Sequence, residues 1–274
     1  MPPAMTPQSE VLVDGLRSAS LPAHDRGLLY GDGVFRTMRV VAGKPLWWDE
    51  QIAKMTEDCA RLGLAAPDPA TWLADFEQLS PRQANGVLKL LVTRGIGPRG
   101  YLPPADQPIR RLMYFDATAP QTRPEAGLRL RVCALRLGWQ PRLAGIKHLN
   151  RLENVLARAE WSAPEIDEGV LLDQSDRVVS GVMSNLFVWR GDQLLTPRID
   201  QCGVAGVARA RLMRLAKAHG MDIQETDLSL PAVFEAEEVM LTNSVMGLRR
   251  VACLEAKHWP GPVISPHLAE WLDA

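Results

Sequence analysis

At 274 residues the chain has room for two modest domains or one large one, and 46% apolar with 23% charged residues is an ordinary balance for a soluble globular protein. A formal net charge of -1, from 31 Lys and Arg against 32 Asp and Glu, gives no electrostatic case for nucleic acid or a membrane surface. No apolar run reaches the length of a membrane span, and the polar, Pro-containing segment from Met1 to Glu10 does not read as a secretory signal. Cys59, Cys133, Cys202 and Cys253 lie far apart with no CxxC pairing, which predicts a reduced, cytoplasmic protein. The five histidines lack metal-ligand spacing, so no metal site is expected.

Taken in chain order, Glu10 to Gly15 predicts a short strand ending in a turn, with Gly15 free to take positive φ. Gly31 to Gly33 breaks the chain before an alternating strand, Val34 to Val41, which turns at Ala42-Gly43-Lys44. Asp49 to Leu64 predicts a helix with Ile52, Met55, Cys59 and Leu62 on one face and Gly63 near its end. A second helix is expected around Thr71 to Leu79, then a nearly continuous apolar strand, Gly86 to Thr93. Arg94 to Tyr101 is too rich in glycine for regular structure.

Composition shifts at Thr118 to Gly127, which predicts a first domain over 1–118, a linker over 119–126 and a second domain over 127–274. In the second, Leu128 to Leu135 alternates as a half-exposed strand. Short strands follow at Gly169 to Asp173, Val178 to Val182, Asn185 to Trp189 and Gln193 to Thr196. A glycine turn, Gly203 to Arg209, leads into a helix bearing Ala208, Leu212, Leu215 and Ala216, with Gly220 at its C′ position. Strands cluster instead of alternating strictly with helices, so the fold class is α+β and not a doubly wound sheet.

Four segments carry chemistry. In Gly145-Ile-Lys-His-Leu-Asn-Arg-Leu-Glu153, Lys147 sits just ahead of a predicted helix, capped by Asn150, whose Leu152, Val155, Leu156 and Ala159 have the spacing of a buried stripe. An amine held there is partly desolvated, which lowers its pKa and suits it to attack an aldehyde; a solvated surface lysine is the competing reading. The turn Cys202 to Ala208 opens a helix whose free N–H groups favour a phosphate, although many such turns bind nothing. Leu241-Thr-Asn-Ser244 offers hydroxyl and N–H donors, or is an ordinary polar turn. On the loop Arg94 to Tyr101, Arg99 and Tyr101 suit carboxylates, or face solvent.

Together these segments resemble the fold-type IV family of pyridoxal-phosphate enzymes, the class IV aminotransferases. The matching stretches are Asp25 to Phe35, Asn85 to Lys89, Thr93 to Tyr101, Leu137-Gly138, Leu143 to Glu153, Asp167-Glu168, Ser184 to Phe187 and Leu195 to Gln201. They run in order over roughly residues 10 to 250. Lys147 to Glu153 is most similar to the lyase branch, which converts 4-amino-4-deoxychorismate to 4-aminobenzoate and pyruvate on the folate route. The resemblance implies a two-domain fold like that of D-amino-acid aminotransferase, with a small N-terminal α/β sandwich and a larger C-terminal pseudo-barrel. It implies pyridoxal 5'-phosphate bound covalently to Lys147, which later acts as general acid/base, with Thr37 as a second catalytic residue lining the substrate side. Gly206, Val207, Ala208, Thr242 and Asn243 would hold the phosphate. Tyr30, Arg99, Tyr101, His148 and Asn150 would line the side of a small-molecule substrate bearing carboxylates. Family sites lie between domains near a dimer interface, so a homodimer is implied.

Two positions depart from the family pattern. Where the helix from Asp49 normally presents an arginine to the phosphate, this chain has Lys54, which keeps the charge and loses the bidentate fork. Where relatives pair a glutamate with the cofactor's ring nitrogen, it has Ser180. A hydroxyl only hydrogen-bonds, leaves the ring nitrogen neutral and weakens the electron sink. That penalises transamination more than elimination, because loss of pyruvate makes an aromatic ring. The expectation is a lyase; the alternatives are an aminotransferase for D-amino or branched-chain amino acids, and a binding protein of the family without pyridoxal chemistry.

Overall fold

The structure, a computed structural model, describes residues 9–18, 20–79, 84–103, 108–118 and 126–273. The expected linker over 119–126, save Ala126, and the segment 1–8 lie outside the described residues. The chain divides into two compact units, 1–121 with 147–150, and 122–146 with 151–274. Lys147 to Asn150 therefore groups with the first unit, although it lies within the second stretch of sequence.

The first unit holds β1 (Ser9–Val13), β2 (Leu16–Arg17), α1 (Arg26–Tyr30), β3 (Gly33–Val41), β4 (Lys44–Pro45), α2 (Trp48–Arg61), α3 (Pro69–Leu79), β5 (Gly86–Thr93) and β6 (Arg110–Ala117). Its strands form one antiparallel sheet in the order β2-β1-β6-β5-β3-β4. β3 and β4 join through Ala42 and Gly43, both at positive φ (48° and 75°), the backbone of a two-residue hairpin that matches strand twist. Alternation in β3 buries Val34, Met38 and Val40, and α2 packs on this strand with Ile52, Met55 and Cys59 buried as its spacing predicts. Leu62 is the helix's C-cap and Gly63 follows at φ +64°.

The second unit holds β7 (Leu128–Leu137), α4 (Leu152–Arg158), β8 (Glu168–Asp173), β9 (Arg177–Gly181), β10 (Asn185–Arg190), β11 (Gln193–Pro197), α5 (Val207–Ala218), β12 (Asp222–Thr226), β13 (Leu228–Ser229), α6 (Leu230–Phe234), β14 (Glu238–Asn243), β15 (Gly247–Leu254), β16 (Lys257–His258) and α7 (Ser265–Asp273). Its ten-stranded sheet runs β12-β11-β10-β14-β15-β7-β8-β9-β13, with β16 beside β15, and curls until β9 packs near β10 and β11, a nearly closed pseudo-barrel. Val170, Leu172, Val178, Leu186, Val188 and Val251 fill one cluster of its core. β10 and β11 turn at Gly191-Asp192, again with both central residues at positive φ. Among the described residues no helix is long and apolar enough to cross a membrane.

One predicted stripe is reversed. Leu152, Val155 and Leu156 of α4 are 75%, 60% and 60% exposed, Ala159 just beyond it is exposed too, and Ala157 is the buried residue of this helix. Helical spacing identifies a face but not which face meets the core.

Candidate active site

In the first unit, residues 147–150 lie along the start of β3. Val34 and His148 form an antiparallel bridge; Phe35 N donates to the Lys147 carbonyl at 2.9 Å, and Leu149 N to the Gly33 carbonyl at 3.0 Å. The approach is close enough to need glycine. A Cβ on Gly31 would sit 2.4 Å from Asn150 Oδ1, and one on Gly33 2.8 Å from Leu149 Cδ1. Asn150 does not cap α4: its Nδ2 donates to the Gly31 carbonyl at 3.2 Å, and Arg151 takes the N-cap position without a side-chain bond. The tertiary partner has displaced the local one.

Lys147 is half-buried, its Nζ 4.5 Å from the centroid of the Phe35 ring, a cation–π placement that the Nζ of Lys89 shares at 5.1 Å. Strand alternation puts Phe35 and Thr37 on one face of β3, opposite the buried face of Val34, Arg36 and Met38. Thr37 thus shares its face with the ring over which Lys147 lies, and it pairs across the sheet with Lys89. His148 is half-buried and Asn150 exposed.

Beneath this face lies a charge cluster that sequence reasoning missed. Asp58, fully buried on α2, accepts from Arg36 Nη2 of β3 and, at 3.1 Å, from the main-chain N–H of Lys147. Lys54, expected to serve the phosphate where the family has an arginine, places Nζ 2.6 Å from Glu57 and 3.0 Å from Asp58. Burial pulls the Arg36 guanidinium below its ordinary range, and Asp58 opposes that shift. The available signal was an acid on the apolar face of a predicted helix.

The loop carrying Arg99 and Tyr101 is fixed by its main chain. Arg26, itself buried, donates to the carbonyls of Gly100 (2.9 Å) and Tyr101 (3.2 Å), and its guanidinium stacks 4.8 Å from the Tyr30 ring. Tyr30 Oη accepts from Gly100 N at 3.2 Å, and its ring meets Tyr101 edge-on at 5.5 Å. Asp32 binds Nε of both Arg26 and Arg94; burial would raise its carboxyl, but the two arginines outweigh that and hold it below the usual range. The side chains of Arg99 and Tyr101 remain exposed, Tyr101 at 85%. A tethered loop with outward polar side chains suits ligand contact.

In the second unit, Gly206 is the N-cap of the twelve-residue α5, and the first helical bond runs from Ala210 N to the Gly206 carbonyl. The N–H groups of Val207 and Ala208 precede it, a donor set suited to a phosphate. Asn185, not singled out in the sequence beyond its place in a matching stretch, builds this turn: Oδ1 accepts from Gly206 N (3.1 Å) and Nδ2 donates to the Val204 carbonyl (2.8 Å). A Cβ at Gly206 would lie 2.4 Å from that Oδ1. The hydroxyl expected from Thr242 is turned elsewhere: it donates to the Gly247 carbonyl at 3.0 Å and is fully buried. Asn243 shapes the following turn, accepting from Val245 N and Met246 N, and donates to the Met183 carbonyl.

Ser180 is buried on β9, opposite Leu171 of β8. Close by in sequence, the turn after β9 rests on Glu168 of β8, a second residue marked in the sequence only by its place in a matching stretch. Its Oε1 accepts from Met183 N at 2.5 Å, and a Cβ on Gly181 would lie 2.6 Å from the same oxygen. Burial pushes the Glu168 carboxyl up to about 7, against the smaller opposing pull of the Met183 N–H and the Ser184 hydroxyl.

Residues 33–254 match the sequence model of the amino-transferase class IV family. The chain is 33% identical over 246 residues to an aminodeoxychorismate lyase of Vibrio harveyi, covering 89% of this chain and 91% of that one. It is 30% identical over 232 residues to a putative branched-chain-amino-acid aminotransferase of Methanocaldococcus jannaschii, covering 83% and 80%. The crystal structure of 4-amino-4-deoxychorismate lyase from Pseudomonas aeruginosa superposes with a TM-score of 0.88 at 41% identity over 96% of this chain and 97% of that one.

Proposed function

The chain belongs to the amino-transferase class IV family, and from that premise we propose that it is an aminodeoxychorismate lyase, using pyridoxal 5'-phosphate to form 4-aminobenzoate and pyruvate on the folate route. The observation that carries the reading is the placement of Lys147, its main chain bonded on both sides and its Nζ over Phe35 on the face of Thr37. An amine there, and a helix N-terminus with free N–H groups at Val207 and Ala208, have the chemistry to hold an aldehyde and a phosphate.

The cofactor, when bound, supplies an electron sink for the breaking bonds. Lys147 holds it and carries a proton at Nζ, with the Thr37 hydroxyl as the neighbouring proton carrier. The main-chain N–H groups of Val207 and Ala208 would bind the phosphate, Gly206, whose own N–H is held by Asn185, would allow its close approach, and the Asn243 turn and the main chain at Thr242 would border that side. Arg99 and Tyr101, with Tyr30 behind them, and His148 with Asn150, orient the substrate's carboxylates. Ser180, buried on β9, would offer the ring nitrogen a hydroxyl that can only hydrogen-bond, which would favour elimination over amino transfer.

The exposed Leu152, Val155, Leu156 and Met183 give an apolar surface suited to a second copy, so the active form is a homodimer. The four cysteines are buried and unpaired, which fits the reducing cytoplasm.

The purified protein is expected to absorb at about 410–430 nm, with a band that borohydride abolishes and Lys147→Ala lacks. Pyruvate release from aminodeoxychorismate should outpace amino transfer to 2-oxo acids. Faster amino transfer would make it an aminotransferase, and a colourless protein that pyridoxal phosphate cannot reconstitute would make it a binding protein.

A further inference from the structure

A fully buried carboxylate is costly unless its charge is matched, and Asp58 is matched from two sides. Arg36 donates to Oδ2, and Lys54 lies 3.0 Å from Oδ1. An apolar contact also joins the two elements, since α2 packs on β3 and buries Ile52, Met55 and Cys59. What the cluster adds is a grip on one main-chain N–H, that of Lys147, at 3.1 Å.

That bond completes a set. Phe35 N to the Lys147 carbonyl and Leu149 N to the Gly33 carbonyl fix the chain on the C-terminal side of Lys147. Asp58 fixes the peptide on its N-terminal side. With both peptides held, the direction in which the Lys147 side chain leaves the backbone is set, and it runs over Phe35. An ionised carboxylate accepts from N–H more strongly than a neutral oxygen does, so the two cations also strengthen this grip.

We propose that Asp58 is a positioning residue for Lys147: its carboxylate, held by Arg36 and Lys54, sets the main chain from which the cofactor-bearing side chain departs. The proposal rests on Lys147 as the attachment point, and the same cluster assigns Lys54 to Asp58 in preference to a phosphate. A lysine that leaves in the wrong direction reacts more slowly even when the fold is intact.

Charge-balanced pairs of variants test this without leaving a buried Arg36 unmatched. Arg36→Met with Asp58→Asn keeps an oxygen acceptor for the Lys147 N–H; Arg36→Met with Asp58→Leu removes it. Amide hydrogen exchange on the cofactor-free protein reads the bond itself. The Lys147 amide should exchange about 10-fold faster in the leucine protein and stay protected in the asparagine protein, with the Phe35 and Leu149 amides unchanged in both. Borohydride trapping of pyridoxal phosphate on Lys147, followed by the mass of its peptide, should slow by about 10-fold with leucine and recover with asparagine. Equal protection of the Lys147 amide in the two proteins, or release of the amide with unchanged trapping, would overturn the proposal. Absence of trapping on Lys147 in the unaltered protein would instead remove the cofactor reading, while the exchange result still reports on Asp58. If the leucine protein does not fold, Arg36→Met with Asp58→Ala carries the same comparison.

Discussion

Asp58 and Glu168 are buried carboxylates, one in each unit, and both accept a hydrogen bond from a main-chain N–H of a segment that carries candidate site residues. They differ in their countercharge. Asp58 faces Arg36 and Lys54, whereas Glu168 accepts from the neutral Met183 N–H, with the Ser184 hydroxyl lowering its carboxyl slightly and Asp167 adding repulsion. One carboxylate is therefore part of a charged lattice, and the other is pushed by burial to about 7 and sits at neutral pH divided between two protonation states. The same residue chemistry is matched by two cations in one unit and left with neutral donors in the other.

The largest effect expected from breaking this contrast is at Asp58. Asp58→Ala leaves Arg36 buried without its partner, which costs about 3–5 kcal/mol, while Arg36→Met in the same chain recovers most of it. Urea unfolding of the single and double variants measures both, and additive losses would mean that the two residues do not act as a pair.

Glu168 should behave oppositely. Its folded pKa of about 7 lies above the ordinary 4.5, so the unfolded chain releases this proton first. Between those values the folded state holds more protons, and rising pH favours unfolding. The contribution is fully present below about pH 4.5 and lost by about pH 7, a change of ~3 kcal/mol. Glu168→Gln keeps an oxygen for Met183 N and removes the titration. The stability of the native protein minus that of the variant should fall across this window; a flat difference would place Glu168 among ordinary carboxylates.

Much of the fold was legible because it follows local spacing. A nearly continuous apolar run predicts β5 from Gly86 to Thr93, and the glycine turn at Gly203 to Gly206 opens α5, whose Leu212 and Ala216 are buried as expected. The turn before α5 could be read as a helix start, but not the Asn185 side chain that shapes it. What could not be read depends on partners remote in sequence. Asn150 has the composition of a cap, yet its amide is taken by Gly31, 119 residues away. Lys54 and Asp58 look like an exposed i, i+4 pair until Arg36 appears on the buried face of β3. The Thr242 hydroxyl is claimed by Gly247, across the turn between β14 and β15.

The smallest expected effect concerns α4, where spacing and structure disagree. A leucine at 156 in a buried stripe would lose about 2–5 kcal/mol on truncation to alanine. In this chain Leu156 is 60% exposed, so in the monomer Leu156→Ala should cost no more than about 0.5 kcal/mol. If this face meets a second copy, the missing cost reappears as weaker association. Sedimentation would then show Leu156→Asp shifting the protein toward monomer at concentrations where the native chain is dimeric, with little change in the unfolding of the monomer. A loss of stability that does not depend on protein concentration would return Leu156 to the core of its own chain. A shift toward monomer would make the apolar spacing of α4 a record of assembly, since three large aliphatic residues in water form a surface suited to a partner.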